Sequence, residues 1–218
     1  MMMVMRVGPK NAKAAVQAAV SVLRRGGVIA YPTETTYGLG CDPRNVKAVA
    51  RIYHIKGREK KKPFLLVAAD VKQAKRVADF GTPDQASVRR ITRKYWPGPL
   101  TLVLPARCGL AKAIAPRGEV AIRVSSAEFI RAVCRAYGFP IVSTSANRSG
   151  EPDARSGLAI SKMFSSASFQ PDLLLDSGYL PRRKPSTVAR ISHDGSIEIL
   201  RQGAVRLGLL RPSGQPKT

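Results

Sequence analysis

Short apolar runs punctuate this chain at intervals too long for hairpins and suited to intervening helices: Val28-Ile29-Ala30-Tyr31, Phe64-Leu65-Leu66-Val67, Leu100–Leu104, Val120–Val124, Pro140–Ser143 and Leu173–Leu175. Runs this short and this apolar read as strands buried on both faces, so helices must cover both sides of the sheet they form. The intervening stretches supply them. Ala14, Ala15, Ala18, Ala19, Val22 and Leu23 recur at helical spacing over 11–25 before Gly26-Gly27 stops the pattern. Further helices are expected over 45–55, 70–79, 84–95, 126–137 and 156–164. Late in the chain the rhythm changes: Thr187–Ile191 and Ser196–Leu200 flank His193-Asp194-Gly195, a hairpin turn. The expected fold class is therefore α/β (α+β), with one large twisted sheet of mixed parallel and antiparallel strands flanked by helices, rather than a purely parallel doubly wound fold. Residues 1–9 read as an N-terminal extension, 10–207 as one catalytic domain, and 208–218 as a disordered Pro/Gly/Lys-rich tail.

Against that ordinary core stands an abnormal charge. The 218 residues carry 37 Lys+Arg and 14 Asp+Glu, a formal charge of +23, so an acidic partner is expected: nucleic acid, a nucleotide or an anionic surface. No run approaches the roughly 18 apolar residues of a membrane span, which argues for a soluble protein without a membrane partner. Cys41, Cys108 and Cys134 are odd in number and far apart, with no Cys-x-x-Cys pair, which points to a reducing, cytoplasmic setting. His54 and His193 are the two histidines, too isolated for a metal site, and no metal ligands are assigned. The clustered Met1, Met2, Met3 and Met5 read as an ambiguous start codon rather than a signal peptide, with a mitochondrial presequence the lesser alternative.

Standard nucleotide motifs are missing. There is no Gly-Lys dipeptide and so no Walker A loop; Gly38-Leu39-Gly40 meets Pro43 where a dinucleotide fingerprint needs glycine; no Gly-x-Ser-x-Gly elbow occurs. Phosphate chemistry must then use cations, hydroxyls and loop amides directly. Four segments suit that task. Tyr31-Pro32-Thr33-Glu34-Thr35-Thr36-Tyr37-Gly38-Leu39-Gly40 crowds hydroxyls into a loop after a strand, with glycines that permit close backbone approach, although an ordinary Thr-rich turn would look the same. Lys56 and Arg58 flank Gly57, a spacing that lets a point charge and a planar fork reach one anion, whereas Lys60, Lys61 and Lys62 read as a solvated basic loop. Pro140-Ile141-Val142-Ser143-Thr144-Ser145-Ala146-Asn147 runs an apolar strand into small donors that can cradle phosphate, or into simple Ser and Asx turns. Lys184-Pro185-Ser186-Thr187-Val188 with Ile199-Leu200-Arg201-Gln202-Gly203 is the fourth.

In order and spacing these words, together with Trp96-Pro97-Gly98-Pro99-Leu100-Thr101 and Ala121-Ile122-Arg123, resemble the threonylcarbamoyl-AMP synthase family, the YrdC/Sua5 proteins, over about residues 10–203. The resemblance implies a YrdC/RibB-like fold and a nucleotidyltransferase that makes threonylcarbamoyl-AMP and pyrophosphate from L-threonine, bicarbonate or CO2, and ATP. It implies that other proteins then transfer the threonylcarbamoyl group to the tRNA adenosine beside the anticodon, that Mg2+ accompanies ATP on ligands left unassigned, and that tRNA or double-stranded RNA is a further partner. Residue by residue, Lys56, Arg58, Ser145 and Asn147 match the catalytic Lys-x-Arg and Ser-x-Asn set on the ATP phosphates. Arg201 matches a further ATP contact. Thr33, Arg123, Ser143 and Ser186 match threonine contacts, Arg123 facing the carboxylate unless it serves an internal ion pair. Glu34 is a conceivable base that a carbamate anion does not need, and Trp96 and Pro97 read as packing. Pro63-Phe64-Leu65-Leu66-Val67-Ala68 lacks the histidine of the longer Sua5 branch, whose second domain is also absent, so the chain resembles the short YrdC-like branch. Two rivals stay open: a non-catalytic basic RNA-binding protein on the same fold, and a related carbamoyl-transfer or acyl-adenylating enzyme with a different amine substrate.

Overall fold

The computed structural model describes residues 1–58, 63–81, 85–192 and 196–207. The basic run at Lys60–Lys62, the turn at His193-Asp194-Gly195 and the tail at 208–218 lie outside the described residues.

Ten strands form one mixed sheet in the order β1-β8-β2-β3-β7-β4-β6-β5-β9-β10. They are β1 (Met3–Arg6), β2 (Ile29–Pro32), β3 (Tyr37–Gly40), β4 (Leu65–Ala68), β5 (Leu100–Pro105), β6 (Glu119–Val124), β7 (Ile141–Ser145), β8 (Leu173–Asp176), β9 (Thr187–Ile191) and β10 (Ile197–Arg201). The helices are α1 (Ala12–Arg24), α2 (Val46–Lys56), α3 (Val71–Ala74), α4 (Gln85–Tyr95), α5 (Glu128–Tyr137) and α6 (Gly157–Phe164). Parallel pairs (β1/β8, β2/β8, β4/β6, β5/β9) alternate with antiparallel ones (β2/β3, β3/β7, β4/β7, β5/β6, β9/β10), the mixed sheet expected from the sequence.

Because successive strand residues point to opposite faces, the apolar runs divide into two cores. Ile29, Tyr31, Val67, Ile141, Leu173 and Leu175 pack with Ala15, Ala19, Val22 and Leu23 of α1 and Ile130, Val133 and Cys134 of α5. Ala30, Leu66, Val142 and Leu174 face the other way, joining Leu102 and Ile122 against Val49 and Ile52 of α2, Val88 and Ile91 of α4 and Ile160 and Phe164 of α6. The second core covers its face across most of the sheet. On the first face, α1 and α5 contact β2, β4 and β8. The site lies on the remainder of that face.

Three local differences from the sequence expectation have physical causes. Tyr37–Gly40 is strand β3 rather than loop, because the Tyr31 ring lies flat over the glycines: a Cβ at Gly40 would sit 2.8 Å from Tyr31 Cε1 and 2.8 Å from the Val142 carbonyl. The glycines thus admit a neighbouring ring, and the hydroxyl-bearing loop shrinks to 33–36. The helix expected over 70–79 is cut to Val71–Ala74, since Ala78 bridges Ala106 and Asp79 N–H donates to Pro105, drawing the chain to the end of β5. Met3–Arg6, within the stretch read as an extension, pairs in parallel with β8 as an edge strand. Trp96 is buried and its indole Nε1 donates to the Leu100 carbonyl at 2.6 Å, a packing role as expected.

Candidate active site

The floor of the site follows from strand register. Gly38 on β3 stands opposite Ser145 on β7, Ser143 opposite Leu65 on β4, Val67 beside Arg123 on β6, and Thr101 on β5 beside Val188 on β9, which pairs with Arg201 on β10. These residues share one face, each one place along its strand from a core residue on the opposite face. All but Val67, which packs in the first core, bottom a cavity of about 330 Å³ whose rim is the 33–37 turn, Arg58, Phe64, Asp153 and Ser186. Thr33, Arg58, Arg123, Ser143, Ser145, Ser186 and Arg201 all line it. Lys56 and Asn147 do not; they are buried directly behind the Ser145 end.

Lys56 and Arg58 are placed by the end of α2. Asn45 caps the start, its side-chain oxygen accepting from Ala48 N–H at 3.0 Å, and Gly57 ends the helix at φ +57°, the left-handed conformation that glycine tolerates best. The reversal leaves Lys56 pointing in and Arg58 over the Phe64 ring at 5.3 Å on the cavity rim. The Lys56 ammonium uses all three protons, donating to the Ser145 carbonyl (2.6 Å), the Asn147 carbonyl (3.0 Å) and Asn147 Oδ1 (2.8 Å). Ser145 Oγ donates to the same Oδ1 at 2.7 Å, and Asn147 Nδ2 donates to the Glu151 carbonyl at 2.5 Å. Burial, seconded by the charge of Arg58, pulls the lysine down to about 8, while Asp153 works the other way. Three residues of the sequence pattern, Lys56, Ser145 and Asn147, thus form one hydrogen-bonded unit, and the fourth, Arg58, sets its guanidinium on the cavity rim.

At the other end, Arg123 is 5% exposed and Nη1 donates to Glu34 Oε1 at 2.6 Å, while Ser125 Oγ donates to Glu34 Oε2. Arg123 Nε is buried and has no hydrogen-bond acceptor among the described residues. The internal ion pair that the sequence left open is therefore present, and Arg123, so held, still contributes to the cavity lining. Glu34, held by two donors, is poorly placed to act as a base. Ser143 Oγ accepts from Tyr31 OH at 2.7 Å, and burial pushes that phenol well above its ordinary value. Thr33 Oγ1 donates to the Thr36 carbonyl at 2.6 Å, shaping the turn. Ser186 Oγ bonds Thr101 Oγ1 at 3.0 Å and accepts from Arg201 Nη2 at 3.1 Å. Arg201 is fixed because Gly203 lies against the Pro185–Ser186 backbone and Thr187 Oγ1 takes up the Gly203 and Val205 amides. Burial and the charge of Arg123 lower the Arg201 pKa. Asp153, Thr36 and Thr101 were missed by sequence reasoning; only the strand alternation around Thr101 held a sign of it. His54 is exposed on α2 and stacks on Phe169, away from the cavity.

A cation-lined, hydroxyl-floored pocket on the open half of a mixed sheet defines an α/β protein built for small anionic ligands. Comparison with known proteins supplies the kinship. Residues 21–203 match the family model Sua5/YciO/YrdC, described as telomere recombination, and the chain belongs to that family. It is 42% identical over 153 residues to a threonylcarbamoyl-AMP synthase of Nitrosococcus oceani, covering 70% of this chain and 81% of that one. It is 38% identical over 184 residues to the enzyme of the same name from Psychromonas ingrahamii, covering 84% and 94%. Among solved structures, P. abyssi Sua5 complexed with L-threonine superposes with a TM-score of 0.80 at 29% identity, covering 93% of this chain and 57% of that one. E. coli YciO superposes at 0.77 with 26% identity, covering 93% and 95%.

Proposed function

We propose that this chain is an L-threonylcarbamoyladenylate synthase, joining L-threonine, bicarbonate or CO2, and ATP into threonylcarbamoyl-AMP and pyrophosphate. The observation that carries the reading is the convergence, around one cavity, of the Arg123 guanidinium, suited to a carboxylate, and, towards the Ser145 end, Arg58 with the Lys56–Asn147 pair buried behind. The named relatives and the threonine-bound neighbour agree with it. Threonine's carboxylate takes the Arg123 guanidinium; Ser143, Thr33 and Ser186 line its amine and side chain. The carbamate formed on that amine is an anion and attacks another anion, the α-phosphate. Fixed cations must offset both charges. Arg58 supplies the one on the cavity rim. Lys56 supplies a charge behind the loop whose Ser145 faces the transferring nucleotide, Asn147 holds Lys56 and Ser145 together, and Arg201 flanks the site. Holding both reactants in one pocket also protects the short-lived carbamate from water.

Mg2+ accompanies ATP in this reading. Asp153 suits it, a cavity carboxylate with no hydrogen bond or ion pair among the described residues, as a cation held chiefly by phosphates and water requires. Bound there, it would screen the phosphate charge. The downstream proteins that move the threonylcarbamoyl group to tRNA, direct contact with tRNA or double-stranded RNA, and a cytoplasmic setting belong to the same proposal. No described helix is long and apolar enough to cross a membrane. A non-catalytic RNA-binding role does not call for the buried constellation around Lys56. The test is pyrophosphate release from ATP by the purified chain, with the product identified. Release is expected only when threonine and bicarbonate are both present; equal release with serine, or with no amino acid, sinks the assignment.

A further inference from the structure

Two fully buried hydroxyls stand behind two serines of the cavity. Tyr31 OH donates to Ser143 Oγ at 2.7 Å, and Thr101 Oγ1 donates to Ser186 Oγ at 3.0 Å. Neither hydroxyl has another partner among the described residues. A buried O–H without an acceptor is costly, so each bond keeps this direction. Arg201 Nη2 meets Ser186 Oγ at 3.1 Å, and a guanidinium can only donate. A hydroxyl oxygen offers two lone pairs and one proton. Both lone pairs of Ser186 are therefore taken, and one of Ser143. The proton of neither serine has an acceptor among the described residues, and both serines line the cavity. The fold secures both pairs. Thr101 lies beside Val188, two places beyond Ser186, and the Tyr31 ring reaches Ser143 on β7 across β3 because Gly38 and Gly40 leave it room.

We infer that Thr101 and Tyr31 are positioning residues that set Ser186 and Ser143 as donors towards the cavity, so that this end of the site reads an oxygen carried on threonine's nitrogen rather than a protonated amine. The inference rests on the synthase reading above, which puts threonine's amine beside these serines. A protonated amine has donors and no lone pair, so a serine whose own lone pairs are taken gives it nothing. A carbamate carries oxygens on the same nitrogen and accepts what the serines offer.

Calorimetric titration of the full chain with L-threonine and with N-acetyl-L-threonine tests this. The second probe has a carbonyl oxygen on its nitrogen and no ammonium. Thr101→Val frees a Ser186 lone pair for the ammonium and releases the serine's rotation. The affinity ratio of N-acetyl-L-threonine to L-threonine is expected to fall about fivefold, the scale of one neutral hydrogen bond. Tyr31→Phe keeps the ring over the glycines and should shift the ratio the same way. Thr101→Ser restores the hydroxyl and should return the ratio to within about twofold of the unaltered chain. The control Thr92→Val removes another buried hydroxyl, one that donates to the Val88 carbonyl within α4, and should leave the ratio alone. An unchanged ratio in Thr101→Val or Tyr31→Phe, an equal loss of both ligands, the same shift in the control, or no binding of N-acetyl-L-threonine to the unaltered chain would each overturn the inference. Threonine-dependent pyrophosphate release by the unaltered chain judges the synthase reading separately, because these titrations need no turnover.

Discussion

Arg123 Nη1 lies 2.6 Å from Glu34 Oε1, and the two side chains, each more than nine-tenths buried, tie the 33–36 turn to the C-terminal end of β6. Glu34→Gln would leave the guanidinium without its counter-charge. Removing one partner of a buried pair costs about 3–5 kcal/mol, so urea unfolding should show a loss of that size, with Ser125→Ala milder. A loss below about 1 kcal/mol would mean that water reaches the pair.

Lys56 and Arg58 should separate in kind. Each alanine variant is expected to slow threonylcarbamoyl-AMP formation by roughly 10²-fold or more, the scale of losing one fixed donor at a charged transition state. Lys56→Ala should in addition destabilise the fold, because it strands three buried acceptors on Ser145 and Asn147, whereas Arg58→Ala should not. Thermal denaturation beside product assays reads both effects.

ATP affinity should fall as pH rises through about 8. The Lys56 pKa is lowered to about 8, so its positive charge is present below that pH and lost above it. Asp153 opposes the lowering, so Asp153→Asn should move the fall to lower pH, and Lys56→Met should flatten it. Calorimetric ATP titration between pH 6.5 and about 9.5 checks this without interference from threonine's own amine.

Gly40→Ala should destabilise by about 1–3 kcal/mol without touching a ligand, since the new methyl meets the Tyr31 ring and the Val142 carbonyl at 2.8 Å. Chemical denaturation measures it. Tyr31→Leu in the same chain should recover part of the loss.

Much of the scaffold was legible in the residues, since burial on both faces leaves a strand little choice but continuous apolar character. Val28–Tyr31 and Leu173–Leu175 needed no partner to be recognised. The site was legible chiefly as words shared with a family. Lys56, Arg58, Ser145 and Asn147 come from two segments some ninety places apart, and nothing in either shows that the Lys56 ammonium ends on Asn147 Oδ1. The alternation in Leu100-Thr101-Leu102 and Ala121-Ile122-Arg123 did carry a sign of the pocket floor, one polar or small residue beside each core residue. It passes unread when such runs are taken as wholly buried.

The sequence by itself determined most of the helix and strand inventory, the excess of cations and the small hydroxyl residues between them, because these depend on periodicity and composition within a few residues. Tertiary structure alone decided which cations meet. It placed Arg123 against Glu34, Arg201 against Ser186, and Arg155 beside Arg182 and Arg183. The two strand residues among them, Arg123 and Arg201, depend on strand order and register, where a shift of one residue would send each to the opposite face of the sheet; the loop residues depend on where those strands end.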